Sequence, residues 1–308
     1  MIVTITINPA VDKSTTLDKL VPEKKLRCEK PLIEAGGGGI NVSKALHELG
    51  GDSLALFPAG GTNGTILQEL LAGSGIRYTA IPVASNTREN VMVTERATNT
   101  QYRFVMPGGE LTGDELEKVL AAVKELQPAP AIIVASGSLP PGAPDDCYAR
   151  LAHISREMGA RFIADTSGPS LQLMAKEGLY LLKANLSELC SLVGKDFLQL
   201  DEVYAAAKQV LDNGYCEVLV VSMGPSGALL ITRDQHITVP APVVKKLSTV
   251  GAGDSMVAGM VWMLEQGGSM ADMLRFGVAC GTAATMSAGT QLFRKEDVYR
   301  LYEWLKTV

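Results

Sequence analysis

Short apolar runs at intervals dominate the hydrophobic pattern of this chain. Residues 2–7 form a β-branched run that Pro9 closes, and β-branched residues favour strands. Further strand-like runs follow from residue 112 onward, with helical stretches between some of them, at residues 131–135, 161–164, 180–183 and 218–221. Apolar strands that alternate with helices are typical of parallel β/α units. The pattern therefore predicts an α/β protein with a mostly parallel central sheet.

Amphipathic spacing and capping signals predict the helices. Thr112 and Glu115 have the spacing of a capping box, which opens a helix ending near residue 126. An apolar stripe at helical spacing follows the glycine run of residues 36–39, at Val42, Ala45, Leu46 and Leu49. Two more helices are predicted at residues 254–266 and 270–287, where Ala, Gly and Met indicate core packing.

Two segments interrupt the regular pattern. Residues 13–35 have neither a helical period nor a long apolar run, and residues 86–109 contain alternating strand-like positions. We expect the two segments to pair as one small sheet, a lid over the first glycine run. The predicted domains are an α/β unit of residues 1–12, 36–85 and 110–308 and a discontinuous β lid of residues 13–35 and 86–109.

Composition restricts the classes of function. The 308 residues are 46% hydrophobic and 20% charged, which is enough for one large core. A net charge of −5 and a pI near 5.4 argue against a general nucleic-acid or membrane-surface binder. The 5 cysteines are scattered without a C-x-x-C pair, which indicates reduced thiols in a cytoplasmic protein. No spacing matches a zinc site, and no apolar stretch approaches the roughly 20 residues of a membrane span.

The segment of residues 248–255, S-T-V-G-A-G-D-S, leads directly into a predicted helix. Gly251, Ala252 and Gly253 allow a tight curl whose N–H groups, with the helix dipole, favour a phosphate or a transferring phosphoryl group. Asp254 follows in the first turn, where a carboxylate beside an anion site suits a general base for phosphoryl transfer to a hydroxyl. Taken alone, an isolated motif of this kind is more often a plain helix N-cap.

A second glycine-rich segment, G-G-G-G-I-N at residues 36–41, precedes an amphipathic helix. Its glycines let the backbone approach a small polar ligand, to which Asn41 can hydrogen-bond from the first turn. The segment has neither the Walker A spacing nor the dinucleotide-binding G-x-G-x-x-G pattern. A flexible linker is the alternative, although linkers seldom lead at once into a strongly amphipathic helix.

Polar groups follow several predicted strands directly. These groups lie at residues 136–138, 165–167, 183–185 and 222–227. They predict a ligand-binding edge of the sheet, and Asp12 follows the first strand in the same way, although an Asx turn would also explain it. Asn185 and Glu188 have the spacing to hold a hydrated Mg²⁺ through water, or simply to cap a helix. Arg88 and Arg103 on the lid would suit phosphate capture, or be solvated surface residues.

Together the motifs resemble the paired signatures of the ribokinase-like (PfkB) sugar kinases, over essentially the whole chain. The likeness rests on residues 36–41, on Asn185 with Glu188, and on residues 248–255. Within that family the chain most resembles the 6-phosphofructokinases, through residues 22–28, 57–61, 101–108 and 136–142. The resemblance implies a three-layer α/β/α sandwich with a small β-sheet lid. It also implies transfer of a phosphoryl group from ATP to the C1 hydroxyl of fructose 6-phosphate.

The resemblance also implies a role for each candidate residue. Asp254 would be the base, beside an anion hole formed by Gly251, Ala252 and Gly253. The implied sugar-phosphate ligands are Asp12, Gly37, Gly38, Asn41, Arg88, Arg103 and Ser138, with charge from Lys25 and Arg27 of a partner subunit. The implied nucleotide ligands are Lys183, Asn185, Ser222, Gly224, Gly227 and Thr249. Asn185 and Glu188 would serve Mg²⁺ through water, and K⁺ would lie near Ser248 and Val250.

The edges of the lid predict the oligomeric state. Its short strand candidates, if unpaired, would leave backbone groups and little buried area, so we expect a homodimer joined through the lids. The resemblance is imperfect at Val21, where the most similar family members carry a tyrosine in the contact between subunits. The details of lid pairing, and any inhibition by ATP, therefore do not carry over from the family.

The implied substrate depends on two positions. In this family, 1-phosphofructokinases usually carry Lys where this chain has Gly38, and they lack an arginine at the position of Arg103. An arginine on the lid favours a phosphate on the C6 end of the sugar, which points to fructose 6-phosphate. The activities of a 1-phosphofructokinase and of a tagatose-6-phosphate kinase stay open as alternatives.

Two other classes of protein also stay open. A catalytically inactive sugar-phosphate sensor on the same fold would be expected to lose the base or the glycines of the hole, and this chain has all of them. A dinucleotide oxidoreductase fits the alternating strands and glycines, but the chain lacks the fingerprint with its ribose-binding acid.

Overall fold

Two β-sheets organise the computed structural model, which describes all 308 residues. The strands are β1 (Ile2–Ile5), β2 (Ala10–Leu17), β3 (Leu32–Gly36), β4 (Ser53–Ala59), β5 (Arg77–Pro82), β6 (Arg88–Glu95), β7 (Thr100–Phe104), β8 (Ile132–Ser136), β9 (Arg161–Asp165), β10 (Leu179–Asn185), β11 (Cys216–Ser222), β12 (Ala228–Ile231) and β13 (His236–Val239). The larger sheet has 9 strands in the order β13-β12-β11-β10-β9-β8-β1-β4-β5. All its pairs are parallel except those of β12 with its two neighbours, so the sheet is mostly parallel, as predicted.

Ten helices flank the sheets. They are α1 (Gly38–Leu49), α2 (Gly61–Gly73), α3 (Gly113–Lys124), α4 (Cys147–Glu157), α5 (Gly168–Ala175), α6 (Leu186–Val193), α7 (Val203–Asp212), α8 (Ala252–Glu265), α9 (Met270–Thr285) and α10 (Lys295–Leu305). A core cluster of 39 buried residues joins one face of the larger sheet to α3 through α7. A second cluster, of 33 buried residues, joins the other face to α1, α8, α9 and α10. The result is the expected three-layer α/β/α sandwich.

Burial on both faces explains the continuous apolar runs of the central strands. In β8, Ile133 and Ala135 belong to the first core cluster, whereas Ile132 and Val134 belong to the second. Successive side chains of a strand point to opposite faces, so a strand covered by helices on both sides is apolar at every position. The polar residues that follow these strands consequently mark where burial ends and ligand contact can begin.

The smaller sheet has 4 strands in the order β3-β2-β6-β7. The β2 strand pairs antiparallel with β3 and parallel with β6, and β6 pairs antiparallel with β7. The two irregular segments of the sequence therefore join in one sheet, as predicted. Several of its apolar side chains are exposed, among them Leu32, Ile33 and Phe104.

Two expectations for the first 36 residues need correction. The first strand ends at Ile5, and Asp12 lies within β2, where it pairs with Glu34 and Asn90. The reason is that the chain re-enters a sheet directly after Pro9, so no open loop follows the first strand. The predicted boundaries after residues 12 and 35 consequently fall inside β2 and β3. The division into an α/β unit and a lid stays a proposal.

Local helix signals agree with the structure. The Thr112 hydroxyl accepts a hydrogen bond from the Glu115 N–H, and the Glu115 carboxylate accepts one from the Thr112 N–H, so the capping box is present at α3.

All 5 cysteines are free thiols. None of the helices is both long enough and apolar enough to cross a membrane.

Candidate active site

Asp254 lies in the first turn of α8, with both carboxylate oxygens in hydrogen bonds to other elements. Asn41 Nδ2 of α1 donates to Oδ2 at 3.0 Å, and Ser136 Oγ at the end of β8 donates to Oδ1 at 3.0 Å. Burial raises the pKa of Asp254 to about 6, and the nearby Asp165 carboxylate also raises it. The two hydrogen bonds and the charge of Lys183 act in the opposite direction. The side chain is thus fixed in orientation and binds a proton more tightly than an ordinary aspartate.

The backbone ahead of Asp254 has the curl that an anion hole needs. Gly251 is the N-cap of α8 and has a φ of 70°, a left-handed conformation that costs glycine little and other residues more. No side chain caps the helix, and Ala252 and Gly253 of its first turn line a neighbouring cleft at the positive end of the helix dipole. This geometry suits a phosphate group.

The first glycine run packs α1 against the end of β8. A Cβ atom on Gly38 would lie 2.3 Å from Ser136 Oγ and 2.6 Å from the Ser136 carbonyl carbon, so the position has no room for a side chain. Gly37 is the N-cap of α1, and its carbonyl accepts a hydrogen bond from the Asn41 N–H at 2.8 Å. The close approach of the backbones brings both Asn41 and Ser136 to the same carboxylate.

A buried ion pair lies beside the anion hole. Lys183 Nζ of β10 donates to both carboxylate oxygens of Asp165, at 3.1 and 3.0 Å, and would lie 3.1 Å from a Cβ atom on Gly253. Burial of this lysine, which is 6% exposed, would lower its pKa, but the carboxylates of Asp165 and Glu188 outweigh burial and raise it. Lys183 therefore stays charged next to the first turn of α8, where it can meet a phosphate.

Asn185 and Glu188 form a capping box at α6. Asn185 Oδ1 accepts from the Glu188 N–H at 2.9 Å, and Glu188 Oε2 accepts from the Asn185 N–H at 2.7 Å. Burial, together with Asp165, raises the pKa of Glu188. The structure thus shows the helix cap, and Glu188 Oε1 remains without a protein donor; a role in Mg²⁺ binding stays a proposal.

Most of the candidate nucleotide residues line one cleft of about 540 Å³ at the first turn of α8, whereas Lys183 and Asn185 do not line it. Of the predicted residues, those that line it are Ser222, Gly224, Gly227, Thr249, Ala252 and Gly253. Apolar walls come from the segment between β13 and α8 and from the two helices that follow, through Ala241, Val244, Met256 and Val278. No sequence pattern predicted these walls, because their apolar residues are indistinguishable from core positions. An apolar slot beside backbone N–H groups suits a base and a phosphate chain.

The candidate sugar residues surround the start of the smaller sheet. Asp12 Oδ1 accepts from Asn90 Nδ2 at 2.8 Å, and burial raises the Asp12 pKa against the opposing effects of Asn90 and Lys44. Arg88 donates to the carbonyls of Met106 and Asn8, both at 3.0 Å, while its buried Nε has no partner. Burial lowers the Arg88 pKa, yet an arginine stays charged. Arg88 is therefore a fixed cation held by backbone carbonyls.

Arg103 connects the smaller sheet to the loop before the anion hole. Its Nη2 donates to Thr249 Oγ1 at 2.6 Å, and its Nε donates to Gln101 Oε1 at 3.1 Å. Burial lowers the Arg103 pKa. The predicted sugar-phosphate ligand and a predicted nucleotide ligand are thus in direct contact.

The remaining candidates have fewer contacts with the site. Ser248 Oγ donates to the Gly289 carbonyl at 2.8 Å and accepts from the Val250 N–H at 3.2 Å, so the loop assigned to K⁺ packs against residues after α9. Ser138 is exposed and accepts a 3.4 Å hydrogen bond from Asn8. Lys25 and Arg27 are exposed between β2 and β3 and form no ion pair or hydrogen bond with the other candidates.

Three residues that the sequence did not single out belong to the site. Ser136 and Asp165 were visible as polar residues at strand ends, but nothing in the pattern showed that they contact Asp254 and Lys183. Asn8, which is 5% exposed, donates to the Pro107 carbonyl at 3.2 Å and so joins the two chain segments beside Arg88. A polar residue between the first strand and Pro9 was the sequence signal that could have identified Asn8 as a site residue.

The protein combines an α/β/α sandwich with a glycine-rich helix start that no side chain caps, and a carboxylate lies in the first turn of that helix. This combination is typical of nucleotide-dependent sugar kinases. The model of the pfkB family carbohydrate kinases matches residues 1–297. The chain belongs to this family.

Named relatives and solved structures agree with this assignment. The chain is 44% identical over 302 residues to the ATP-dependent 6-phosphofructokinase isozyme 2 of Mycobacterium tuberculosis, covering 98% of this chain and 89% of the relative. It is 42% identical over 305 residues to the protein of the same name from Escherichia coli, covering 99% and 98%. A 1-phosphofructokinase of Xanthomonas campestris is 35% identical over 262 residues, covering 84% and 82%.

Solved structures of phosphofructokinase-2 from Escherichia coli superpose over nearly the whole fold. The complex with potassium has a TM-score of 0.95 at 42% identity, and covers 99% of each chain. The complex with fructose-6-phosphate has a TM-score of 0.93 at 40% identity, with the same coverage. The fold is therefore ribokinase-like, as the motifs implied.

The packing at Gly38 generates a first testable prediction. We expect Gly38→Ala to lower the free energy of unfolding by about 1–3 kcal/mol, because the added methyl group must displace Ser136 or the start of α1. Urea denaturation measures the change. Gly73→Ala is the matched control, since no atom lies within 4 Å of its Cβ position. Equal stability of the two variants would contradict the close packing of α1 on β8.

Proposed function

We propose that this protein is an ATP-dependent 6-phosphofructokinase, which phosphorylates the C1 hydroxyl of fructose 6-phosphate. The observation that carries the proposal is the position of Asp254, a base fixed by Asn41 and Ser136 directly after Gly253, which lines the nucleotide cleft. The relatives of that name support the choice of sugar phosphate.

Asp254 acts as the general base. A carboxylate offers about four lone pairs, so two hydrogen bonds from Asn41 and Ser136 leave capacity for the proton of the C1 hydroxyl. A pKa of about 6 keeps Asp254 mostly ionised near neutral pH while giving it more proton affinity than an exposed aspartate. The hydroxyl oxygen, as it loses the proton to Asp254, becomes the nucleophile.

The first turn of α8 and Lys183 stabilise the charge that develops during transfer. Ala252 and Gly253, whose N–H groups belong to the first turn of α8, line the cleft, and Lys183 lies beside Gly253. Such groups are already oriented before reaction, so they need no reorganisation in the transition state. Asp165 holds the lysine in place through both carboxylate oxygens.

ATP bound as its magnesium complex supplies the phosphoryl group and part of the neutralising charge. The apolar walls and the N–H groups of the cleft fit a nucleotide, with Ser222, Gly224, Gly227 and Thr249 along its length. Lys183 and Asn185 lie on the phosphate side. Asn185 and Glu188 hold Mg²⁺ through water, because Glu188 Oε1 is free and direct ligation would require more oxygen donors than converge here.

We assign K⁺ to the loop of Ser248 and Val250. The support is the likeness to the Escherichia coli enzyme whose structure contains potassium, together with the packing of this loop on Gly289, which brings two backbone segments together. Backbone carbonyls are suitable ligands for such an ion.

A cytoplasmic location also remains part of the proposal.

The arrangement of cations favours a phosphate at the C6 end of the sugar. Gly38 has no space for the lysine that a phosphate at the other end would require, whereas Arg103 and Arg88 lie on the smaller sheet. Asp12, Asn41, Gly37, Gly38 and Ser138 would then orient the hydroxyl groups. Tagatose 6-phosphate differs at one hydroxyl, so we expect it to be a poorer substrate.

Replacement of the base gives a second testable prediction. We expect Asp254→Asn to lower kcat by about 10²–10⁴-fold, because the amide keeps the size of the side chain but cannot accept the proton. A loose transition state would place the loss toward the low end. Steady-state kinetics measure it, with Asp212→Asn, an exposed aspartate of α7, as the control. A wild-type kcat in the first variant would refute the role of Asp254.

The assignment of Arg103 to the sugar phosphate gives a third testable prediction. We expect Arg103→Ala to raise the KM for fructose 6-phosphate by the equivalent of about 1.5–3 kcal/mol, the value of hydrogen bonds to a charged group, with a smaller effect on the KM for ATP. Arg77→Ala, which removes a distant arginine paired with Asp52, is the control. An unchanged KM for fructose 6-phosphate would refute the role of Arg103. A higher kcat/KM for fructose 1-phosphate than for fructose 6-phosphate would refute the assigned substrate.

The exposed apolar side chains of the smaller sheet give a fourth prediction. Ile33 and Phe104 are 40% and 47% exposed on β3 and β7, where the strand register places them on one face, and we propose that a second copy covers them in a homodimer. In that dimer, Lys25 and Arg27 would reach the site of the partner. Light scattering should show a dimer for the wild type and a monomer for Phe104→Asp, whereas Phe197→Asp, on another surface, should stay dimeric. A monomeric wild type at micromolar concentration would contradict the proposal.

A further inference from the structure

We infer that Gln101 is a positioning residue: its side-chain oxygen orients Arg103 for the sugar phosphate and ties that arginine to the loop before the anion hole. The inference rests on the proposed function, because it takes Arg103 as the ligand of the C6 phosphate. Gln101 itself would not touch the substrate.

The strand geometry places the two side chains on one side of the sheet. Gln101 and Arg103 are two residues apart in β7, and residues at this spacing point to the same face of a strand. Gln101 Oε1 accepts a hydrogen bond from Arg103 Nε at 3.1 Å. The same oxygen lies 3.4 Å from Ser248 Oγ, in the loop that leads to Gly251. One amide oxygen thus contacts both the arginine and the catalytic loop.

The amide oxygen of Gln101 accepts hydrogen bonds, whereas the amide nitrogen donates none. Gln101 Nε2 is buried and has no acceptor, and a buried unpaired donor costs free energy. Turning the amide over would place the nitrogen against the Arg103 donor and lose the 3.1 Å hydrogen bond. Gln101 therefore gains its contacts at Arg103 and Ser248 at the expense of an unpaired NH₂ group with two donors.

The hydroxyl of Ser248 makes the connection to the loop adjustable. It has a single hydrogen, with the Gly289 carbonyl at 2.8 Å and Gln101 Oε1 at 3.4 Å as alternative acceptors. Its oxygen accepts the Val250 N–H at 3.2 Å, directly before Gly251. A shift of Gln101 toward Ser248 would therefore change the hydrogen bond of Val250, the residue directly before Gly251.

The two fixed nitrogens of Arg103 leave the third one for the ligand. Nε is bonded to Gln101 and Nη2 to Thr249, whereas Nη1 has no protein partner. A long side chain held at two points loses less conformational freedom when it binds an anion than a freely rotating one. Removing the Gln101 contact should therefore weaken sugar-phosphate binding more than it slows the chemical step.

The test is a double-mutant cycle between Gln101 and Arg103. Gln101→Met keeps the approximate length of the side chain and removes the acceptor. We expect it to raise the KM for fructose 6-phosphate by about tenfold, the scale of one hydrogen bond to a charged group, with kcat and the KM for ATP changed by less than about threefold. In the Arg103→Ala background the same substitution should cause no further rise in KM. Gln68→Met, at a half-buried glutamine whose side chain donates to the Gly64 carbonyl within α2, is the control.

The outcomes separate the positioning role from the proposed function. If Arg103→Ala raises the KM and Gln101→Met does not, or if the two effects multiply in the double variant, the inference about Gln101 is overturned and the function stands. If Arg103→Ala has no effect on the KM, the proposed role of Arg103 fails first. Gln101→Asn, whose shorter side chain cannot reach Arg103 Nε, should match Gln101→Met and replaces it in the cycle if that variant does not fold.

Discussion

The removal of the Asp254 carboxylate from water is the constraint on which the site depends. An ionised carboxylate in such a place is costly unless it is hydrogen-bonded, and Asn41 and Ser136 supply the two bonds. Lys183 adds a compensating charge, while Asp165 opposes ionisation and at the same time fixes that lysine. The balance leaves a pKa of about 6, which is suitable for a base that must be ionised and still bind a proton.

This balance requires segments that are far apart in the sequence to meet within hydrogen-bond distance. Asn41 and Asp254 are separated by 213 positions, and Ser136 and Asp254 by 118. The contact between Gly38 and β8 brings the first two donors together, and the glycines before α8 let its first turn approach Lys183. Small residues thus determine the geometry, while the charged residues determine the chemistry. The smaller sheet completes the site through Arg103 and Thr249.

The sequence predicted the features that depend on local pattern. Apolar runs identified the strands from β8 to β11, and Thr112 with Glu115 identified the start of α3, because burial and capping leave periodic or fixed-spacing signals. Asp12 was misplaced after a strand, since pairing of β2 with β3 and β6 is a long-range event that no local signal reports.

Prediction of the site was more uneven. The glycine motifs and Asp254 stood out because of their spacing, and the structure places Asn41 against Asp254 and Lys183 against Gly253. Asp165 and Gln101 were not identified, because their importance lies in what they contact across the fold. The spacing of Asn185 and Glu188 fits a helix cap and a metal site alike, and in the structure the two side chains form the cap.

The most direct measurement is the pH dependence of kcat for wild type and for Asp254→Asn under saturating substrates. Burial raises the Asp254 pKa to about 6, and the ionised form is the active one, so wild-type kcat should fall as pH decreases through about 6. Phosphate groups of the substrates also titrate near pH 6, and any limb that belongs to them should persist in the variant. A wild-type acid limb that disappears from the residual activity of the variant is the expected result. An identical acid limb in both proteins, or a wild-type kcat that stays constant down to pH 5, would contradict the role of Asp254 as the base.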